Sequence, residues 1–203
     1  DKVSQDLVSL HAQQLVNFSE KWRGYVGVRG DALHYDVKGR EAVYGATNSG
    51  SGHDAQISPK AGLAFAVAPA HELYLNTGVG FHSNDVRAAT IRLDPQSGLP
   101  ADRVPALSKG AGSEIGWRFQ PSDDLSVTTA LWQLKLDSEL VYVGDAGTTE
   151  AGRASSRRGV EVTARWKLNP RWRLEADGAW SRARFRGDAP EGEGNYIDNA
   201  VER

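Results

Sequence analysis

The chain has 203 residues, a formal net charge of -2 and no cysteine. Acidic and basic residues are interspersed, so there is no basic field of the kind that binds nucleic acid, and the lack of cysteine excludes disulfides, thiolate chemistry and cysteine-based zinc sites. No apolar run approaches the roughly 18 residues of a membrane-spanning helix, so a membrane crossing has to use strands.

Strands are predicted along most of the chain, because apolar residues recur with a period of two. In chain order they cover residues 4–17, 22–36, 60–67, 72–81, 114–119, 125–136, 159–168 and 172–181. The alternation is less clean in the first two and clearest after residue 159, where Val160 and Trp166 share one face while Glu161 and Arg165 share the other. The pattern predicts an all-β fold, an antiparallel meander of about eight long strands.

The strand at 125–136 departs from this pattern. Leu125, Val127 and Leu131 fall on one face, but Trp132 and Leu134 fall on the other. A β-bulge near Leu131 would restore the alternation, and we predict one there.

Connections between the predicted strands alternate in length. Short turns occupy residues 18–21, 69–71, 121–124 and 169–171, and long polar links occupy 37–56, 83–105, 145–157 and 185 onward. In an antiparallel meander, all short turns then lie at one end of the sheet and all long links at the other. Bacterial outer-membrane barrels have this asymmetry, with short periplasmic turns and long extracellular loops.

Aromatic residues follow the same geometry. Amphipathic rings favour the boundary between hydrocarbon and water, and a belt of them is predicted at the level of the short turns. Its members are Trp22, Trp117, Phe119, Trp166 and Trp172. A second belt near the long links is predicted from Tyr35, Phe81, Tyr142 and Trp180.

A soluble β-sandwich also alternates and also has turns. Its strands usually have about five or six residues, whereas several strands here reach roughly ten, the length that crosses a tilted bilayer. Charges in mid-strand, such as Arg165, Lys167, Glu175 and Asp177, suit a watery or plugged lumen. The sequence therefore favours a partial transmembrane barrel, with a soluble carbohydrate-binding β-sandwich as the alternative.

Several stretches resemble the barrel of TonB-dependent outer-membrane receptors. They are ISPKAGLAFAVAPAHELYLNTGVGFHSND from Ile57 to Asp85, LWQLKLDSELVYVGDAGTTE from Leu131 to Glu150, and SSRRGVEVTARWKLNPRWRLEADGAWSRARF from Ser155 to Phe185. The opening VGVRGDALHYDV is similar to a strand of the same family, with Gly30 inserted before Asp31. The ordered set of GFHSND, DSEL and VGDAGTT is the most specific of these motifs.

The resemblance implies that residues 1–203 are part of a barrel of about 22 strands, with the plug domain and the final strands absent from this chain. It implies a bacterial outer-membrane location and active uptake of a scarce nutrient, such as siderophore-bound iron, cobalamin, haem or an oligosaccharide, with no chemical step and no cofactor. The partners it implies are the plug domain and remaining barrel strands of the parent chain, the TonB complex, the nutrient and outer-membrane lipid. A passive porin-like channel is the main functional alternative.

Ligand contacts are predicted on the long loops and the lumenal rim. The candidates are His82, Asn84, Asp85, Arg87, Glu139, Asp145 and Arg153. The GFHSND motif has an alternative role that we weigh above ligand contact, which is to fix the exit from strand to loop through hydrogen bonds. The histidines lack metal-ligand spacing, and the glycines and serines lack the context of a phosphate-binding loop or a nucleophile elbow, so no catalytic or metal site is predicted.

Overall fold

The computed structural model describes residues 1–40, 44–95, 97–143, 148–188 and 194–197, with side chains for all of these except 139–143 and 148–152. Two short helices lie among the described strands, α1 (Gly45–Asn48) and α2 (Val86–Thr90). In the described part of the chain, no helix has the length and apolar character needed to cross a membrane.

Ten strands account for most of the described residues. They are β1 (Lys2–Asn17), β2 (Trp22–Lys38), β3 (Gly50–Ala68), β4 (His71–Ser83), β5 (Leu107–Ser122), β6 (Leu125–Leu136), β7 (Glu139–Val143), β8 (Thr148–Gly152), β9 (Ser155–Asn169) and β10 (Trp172–Phe185). Eight of them form one sheet in the order β1-β2-β3-β4-β5-β6-β9-β10, and every neighbouring pair is antiparallel. The predicted meander of long strands is confirmed. Because the eight long strands share one sheet, the β-sandwich alternative is wrong.

Side chains close the short turns at the ends of two hairpins. Ser19 Oγ accepts hydrogen bonds from the backbone N–H groups of Lys21 and Trp22, at 3.2 and 3.1 Å. Asn169 Oδ1 accepts from Arg171 and Trp172 in the same way, at 2.9 and 3.1 Å. Ser and Asn favour such turns because their short side chains reach a backbone amide two or three residues ahead.

The register sorts the side chains onto two faces. One row of paired residues is almost wholly apolar and crosses six strands as Leu63, Leu75, Ile115, Leu131, Val160 and Trp180. We call the face that carries this row the apolar face, and the opposite face, which carries Glu72, Asn76 and Glu114, the polar face. Large apolar side chains remain about half exposed on the first of these, with 50% for Leu75, 53% for Ile115 and 54% for Leu131. A continuous exposed apolar surface of this kind requires a partner or lipid to cover it.

The predicted β-bulge near Leu131 is wrong. β6 pairs without a register shift with β5 from Val127 to Leu136 and with β9 along its whole length. The apolar pattern shifts because Trp132 and Leu134 project from the polar face, while the backbone keeps its register. Trp132 fits there because its opposite residue is Gly159.

The sheet divides at its long-loop end. β3 and β4 pair only as far as Lys60 and Gly78, although each continues to pair with its other neighbour. Beyond that point the end of β4, the link between β4 and β5, and the start of β5 pack against the polar face of β2. A small core is buried between them: Leu33, Val37, Val86, Ala89, Ala106 and Leu107.

The division of the sheet corrects part of the second aromatic belt. Tyr35 and Phe81 pack against the small buried core and so face other parts of the protein. The alternation pattern alone could not reveal this, because the prediction of a second belt requires β3 and β4 to stay paired to their ends. Trp180 does lie on the apolar face and is 48% exposed, whereas Tyr142 is outside the residues whose side chains are described.

One long link and one predicted hairpin differ from the prediction. β3 begins at Gly50, so the polar segment 50–56 belongs to the strand that pairs with β2 and shortens the predicted link at 37–56. The stretch Leu131–Glu150, which resembles one barrel hairpin, divides between β6 in the large sheet and the separate β7–β8 hairpin.

Candidate functional site

A carboxylate bridged by two arginines forms the centre of the polar face near the short turns. Glu72 on β4 pairs with Arg23 on β2 and Arg118 on β5, both at 2.6 Å, and its side chain is only 13% exposed. The three residues come from separate strands, so the sheet has to be assembled before the ion pairs form. They stand on the wall of a groove of about 230 Å³.

Polar side chains extend this arrangement one row toward the long loops. The Tyr25 hydroxyl donates to Asn76 Oδ1 at 3.1 Å, and Asn76 Nδ2 donates to Glu114 Oε1 at 2.8 Å. The Lys60 ammonium lies 5.8 Å from the centre of the Tyr25 ring. The polar face therefore carries both charged groups and hydroxyl or amide groups, and its surface is hydrophilic.

A third cluster lies on β1 and β2, closer to the long-loop end of the sheet. Asp31 has a fully buried side chain that accepts from Ser9 Oγ at 2.6 Å and pairs with Arg29 at 2.6 Å. The Arg29 guanidinium also lies 5.8 Å from the ring of Phe81, which belongs to the part of β4 that overlaps β2. This cluster joins the sheet to the small buried core.

The GFHSND motif makes the strand-to-loop contacts that its alternative role requires. Asn84 is 3% exposed, and its Nδ2 donates to the Pro105 carbonyl at 2.8 Å while its N–H donates to the Ala106 carbonyl, also at 2.8 Å. Asp85 accepts from the backbone N–H of Arg87 at 3.0 Å and so caps α2, and it forms an ion pair with the Arg87 guanidinium. The hydrogen bond from Arg87 holds the pKa of Asp85 below its ordinary value of 3.8.

The other ligand candidates have different surroundings. His82 lies on β4, opposite Ser108, and is half-buried. Arg153 donates to the carbonyl of Asp188 at 2.9 Å and to Asn195 Oδ1 at 2.6 Å, and its guanidinium lies 5.2 Å from the Phe185 ring. It therefore ties the segment after β10 to the start of β9. Glu139 lies in β7 without a described side chain, and Asp145 is outside the described residues.

The predicted belt residues all lie on the apolar face near the short turns. Trp22 stacks on Phe65 with ring centres 4.4 Å apart, and Trp117 stacks on Phe119 at 5.8 Å. Both Trp166 and Trp172 are exposed, at 48% and 66%.

Sequence reasoning missed two members of this aromatic row. Phe65 lies three residues before the turn-adjacent end of β3. His71 stacks on both Trp117 and Phe119 and accepts a hydrogen bond from Trp117 Nε1 at 3.2 Å. Distance from the short turn, the signal that predicted the other residues, would have found Phe65 as well. His71 was assigned to a turn, and nothing in its neighbours along the sequence indicates the stack.

Long antiparallel strands, an exposed apolar face, an aromatic row beside short turns and a charged opposite face together define a wall of an outer-membrane β-barrel. Among the residues with described positions, no group of three or more His, Asp or Glu is arranged to hold a metal ion. The family model for the TonB dependent receptor-like β-barrel matches residues 1–203. The chain belongs to this family, whose members are transport receptors in the outer membrane of Gram-negative bacteria.

Individual relatives agree with the family match. The chain is 28% identical over 134 residues to the metal-pseudopaline receptor CntO of Pseudomonas aeruginosa, a match that covers 64% of this chain and 17% of the relative. It is similar to the closed form of the ferric-catecholate import receptor Fiu of E. coli K12, with a TM-score of 0.70, 18% identity, and coverage of 95% of this chain and 30% of that one. It is also similar to BauA, the ferric preacinetobactin receptor of Acinetobacter baumannii, with a TM-score of 0.69, 14% identity, and coverage of 98% and 28%. These two likenesses show a shared fold, and the chain spans less than a third of each relative's length.

Proposed function

We propose that this chain forms part of the barrel wall of a TonB-dependent receptor that imports a metal chelate across the outer membrane. The match of the family model over residues 1–203 is the observation that carries the proposal. The three relatives support the substrate class, since they are named as receptors for metal-pseudopaline, for ferric catecholate and for ferric preacinetobactin. A metal bound by a small organic chelator is common to all three.

In this proposal, residues 1–203 supply eight strands of a barrel of about 22, and the plug domain and remaining strands belong to the parent chain. Ligand is captured at the long-loop end, the TonB complex acts through the plug, and the ligand then passes along the polar face. The protein performs no chemical step. Binding and release are its only contributions, and the energy arrives from the inner membrane through TonB.

His82 is the strongest candidate for ligand contact among the described residues. It lies one residue before β4 ends and has the parity of Glu72 and Asn76 on the polar face. Its imidazole has no hydrogen-bond partner among the residues that the structure describes. Asn84, Asp85 and Arg153, in contrast, use their polar groups to hold the loops in place. Arg87 in α2, Glu139 in β7 and Asp145 remain candidates for ligand contact.

Uptake by the full-length receptor tests this function. A strain that lacks the receptor is complemented with the full gene and supplied with radioactive iron bound to a catecholate siderophore, with and without a functional TonB. We expect uptake that depends on both the receptor and TonB. Uptake that depends on the receptor but persists without TonB would instead indicate the passive channel.

The His82 contact is tested in the same assay with a matched control. We expect His82→Ala to raise the siderophore concentration needed for half-maximal uptake. His53→Ala removes an exposed histidine from the apolar face of β3, also in its long-loop half, and should leave uptake unchanged. Equal behaviour of the two variants would remove His82 from the ligand site.

A further inference from the structure

The apolar face changes its chemistry at the long-loop end of β6, β9 and β10. Its last wholly apolar row on these strands is Leu131, Val160 and Trp180. The next two rows read Gln133, Arg158, Arg182 and then Lys135, Ser156, Arg184. Basic residues thus occupy most of these positions and acidic residues occupy none of them. We call Lys135, Arg158 and Arg182 the basic patch; Arg184 is left out because its guanidinium donates to the Ala183 carbonyl and lies 4.0 Å from the centre of the Tyr196 ring.

Two arginines in the basic patch are placed directly opposite each other. Arg158 on β9 pairs with Arg182 on β10, and both side chains are exposed. Like charges at directly opposed positions destabilise a sheet. Neither guanidinium has a carboxylate partner among the described residues, whereas Arg23 and Arg118 on the polar face share Glu72. The pair therefore presents concentrated positive charge that an external anion would stabilise.

The depth of the patch in the membrane follows from strand geometry. Trp172 and Trp180 both lie on the apolar face of β10 and mark the two ends of its apolar stretch. The strand between them rises about 27 Å, which at a tilt of about 40° is about 21 Å along the membrane normal, close to the roughly 25 Å apolar band of such barrels. Arg182 lies about 5 Å further out, which is the level of the lipid headgroups on the side of the long loops.

We propose that the basic patch binds the phosphate groups of an anionic lipid in the outer leaflet of the outer membrane. Guanidinium groups bind phosphate through paired hydrogen bonds. Arg158 and Arg182 place two guanidinium groups side by side on adjacent strands. The apolar row immediately below the patch gives the acyl chains of the same lipid a surface to lie on, which free phosphate would not use. This lipid site is independent of the nutrient that the receptor carries.

Lipid binding by the purified full-length receptor tests the proposal. The probe is diphosphoryl lipid A, titrated onto the receptor in detergent and counted by native mass spectrometry. Each basic residue near an anionic surface contributes about 1 kcal/mol, so the double variant Arg158→Gln/Arg182→Gln should bind about 30-fold more weakly. The matched control, Arg165→Gln/Arg173→Gln, removes the same charge from the polar face of the same two strands and should bind like the unmodified receptor.

Three outcomes would overturn the proposal. They are full binding by the patch variant, equal loss by the control variant, and displacement of lipid A by inorganic phosphate at the same concentration, since the last would assign the patch to free phosphate. Heat-modifiable mobility on gels shows whether each variant has a folded barrel. If the double variant does not fold, the single variant Lys135→Gln is used instead. We expect it to bind lipid A about fivefold more weakly, and unchanged binding would contradict the proposal.

Discussion

The indole ring of Trp132 lies across Gly159, the residue directly opposite it on the neighbouring strand. A methyl group on Gly159 would come within 2.8 Å of the indole and 2.5 Å of the Trp180 carbonyl oxygen. The same relation joins Tyr74 to Gly116, where a side chain on the glycine would overlap the phenol ring. Large rings on the polar face are thus accommodated by opposed glycines, and these glycines are required for packing.

Gly159→Ala is expected to destabilise the folded receptor by about 1–3 kcal/mol, because the added methyl group overpacks a site bounded by a ring and a backbone carbonyl. The measurement is the free energy of unfolding in denaturant, followed by tryptophan fluorescence. Gly178→Ala is the control, since a methyl group there meets no atom within 4 Å. Equal stability of the two variants would show that Trp132 does not occupy the space above Gly159.

Glu72 is expected to stabilise the polar face more than an exposed acid does. Glu72→Gln leaves Arg23 and Arg118 close together without their shared carboxylate, and should lower the free energy of unfolding by about 1–3 kcal/mol. The control is Asp124→Asn, because Asp124 lies 3.6 Å from Lys167 with a side chain that is 58% exposed. Exposed pairs contribute less than about 1 kcal/mol, so the control should be nearly neutral. A larger loss for Asp124→Asn would contradict this ranking.

Acid should release the cap of α2. The pKa of Asp85 is depressed by the hydrogen bond from Arg87, so its contribution to loop order is complete above the ordinary value of 3.8 and is lost as pH falls through the lower pKa of the folded state. Exchange of the Arg87 backbone amide with solvent should therefore speed up as pH falls below that ordinary value, beyond the intrinsic rate.

Asp85→Asn is the control for this acid effect, because asparagine also caps helices but does not titrate. Its amide exchange, corrected for the intrinsic rate, should not change over the same pH range. A pH dependence that is the same in both proteins would contradict the role of Asp85.

The apolar face should reject charge. Ala176→Arg is expected to lower barrel stability by about 2–4 kcal/mol, because residue 176 lies midway between Trp172 and Trp180 on the apolar face and so near the middle of the bilayer. Ala179→Arg, on the same strand but on the polar face opposite Glu161, is the matched control and should have little effect. Stability is measured by unfolding in lipid vesicles. A harmless arginine at residue 176 together with a damaging one at residue 179 would mean that the two faces are exchanged.

Much of the fold was predictable because it depends on local pattern. Alternation placed all eight long strands, and Ser19 and Asn169 close turns that their residue types favour. The predicted belt residues share one face because each occupies an apolar-face position in the alternation of its own strand.

What the sequence did not reveal depends on contacts between distant segments. Trp132 shifts the apolar pattern in the way that a bulge would, because the indole fits on the polar face only opposite Gly159, which is far away in sequence. Phe81 resembles a lipid-facing residue, yet it packs against the small buried core because the sheet divides. The anchoring of Arg153 through Asn195 likewise joins segments that no periodic pattern connects.

The central claim is that the two faces of the sheet meet different solvents, and spin labels on β10 test it most directly. The 203 residues contain no cysteine, so single cysteines introduced from 173 to 179 in the full-length receptor label defined positions of this region. In lipid vesicles, we expect labels at 174, 176 and 178 to be accessible to oxygen, which partitions into lipid, and labels at 173, 175, 177 and 179 to be accessible to a water-soluble nickel chelate. Two results would contradict the account. In one, accessibility to oxygen and accessibility to the nickel chelate rise and fall together along the strand; in the other, they alternate in the opposite phase.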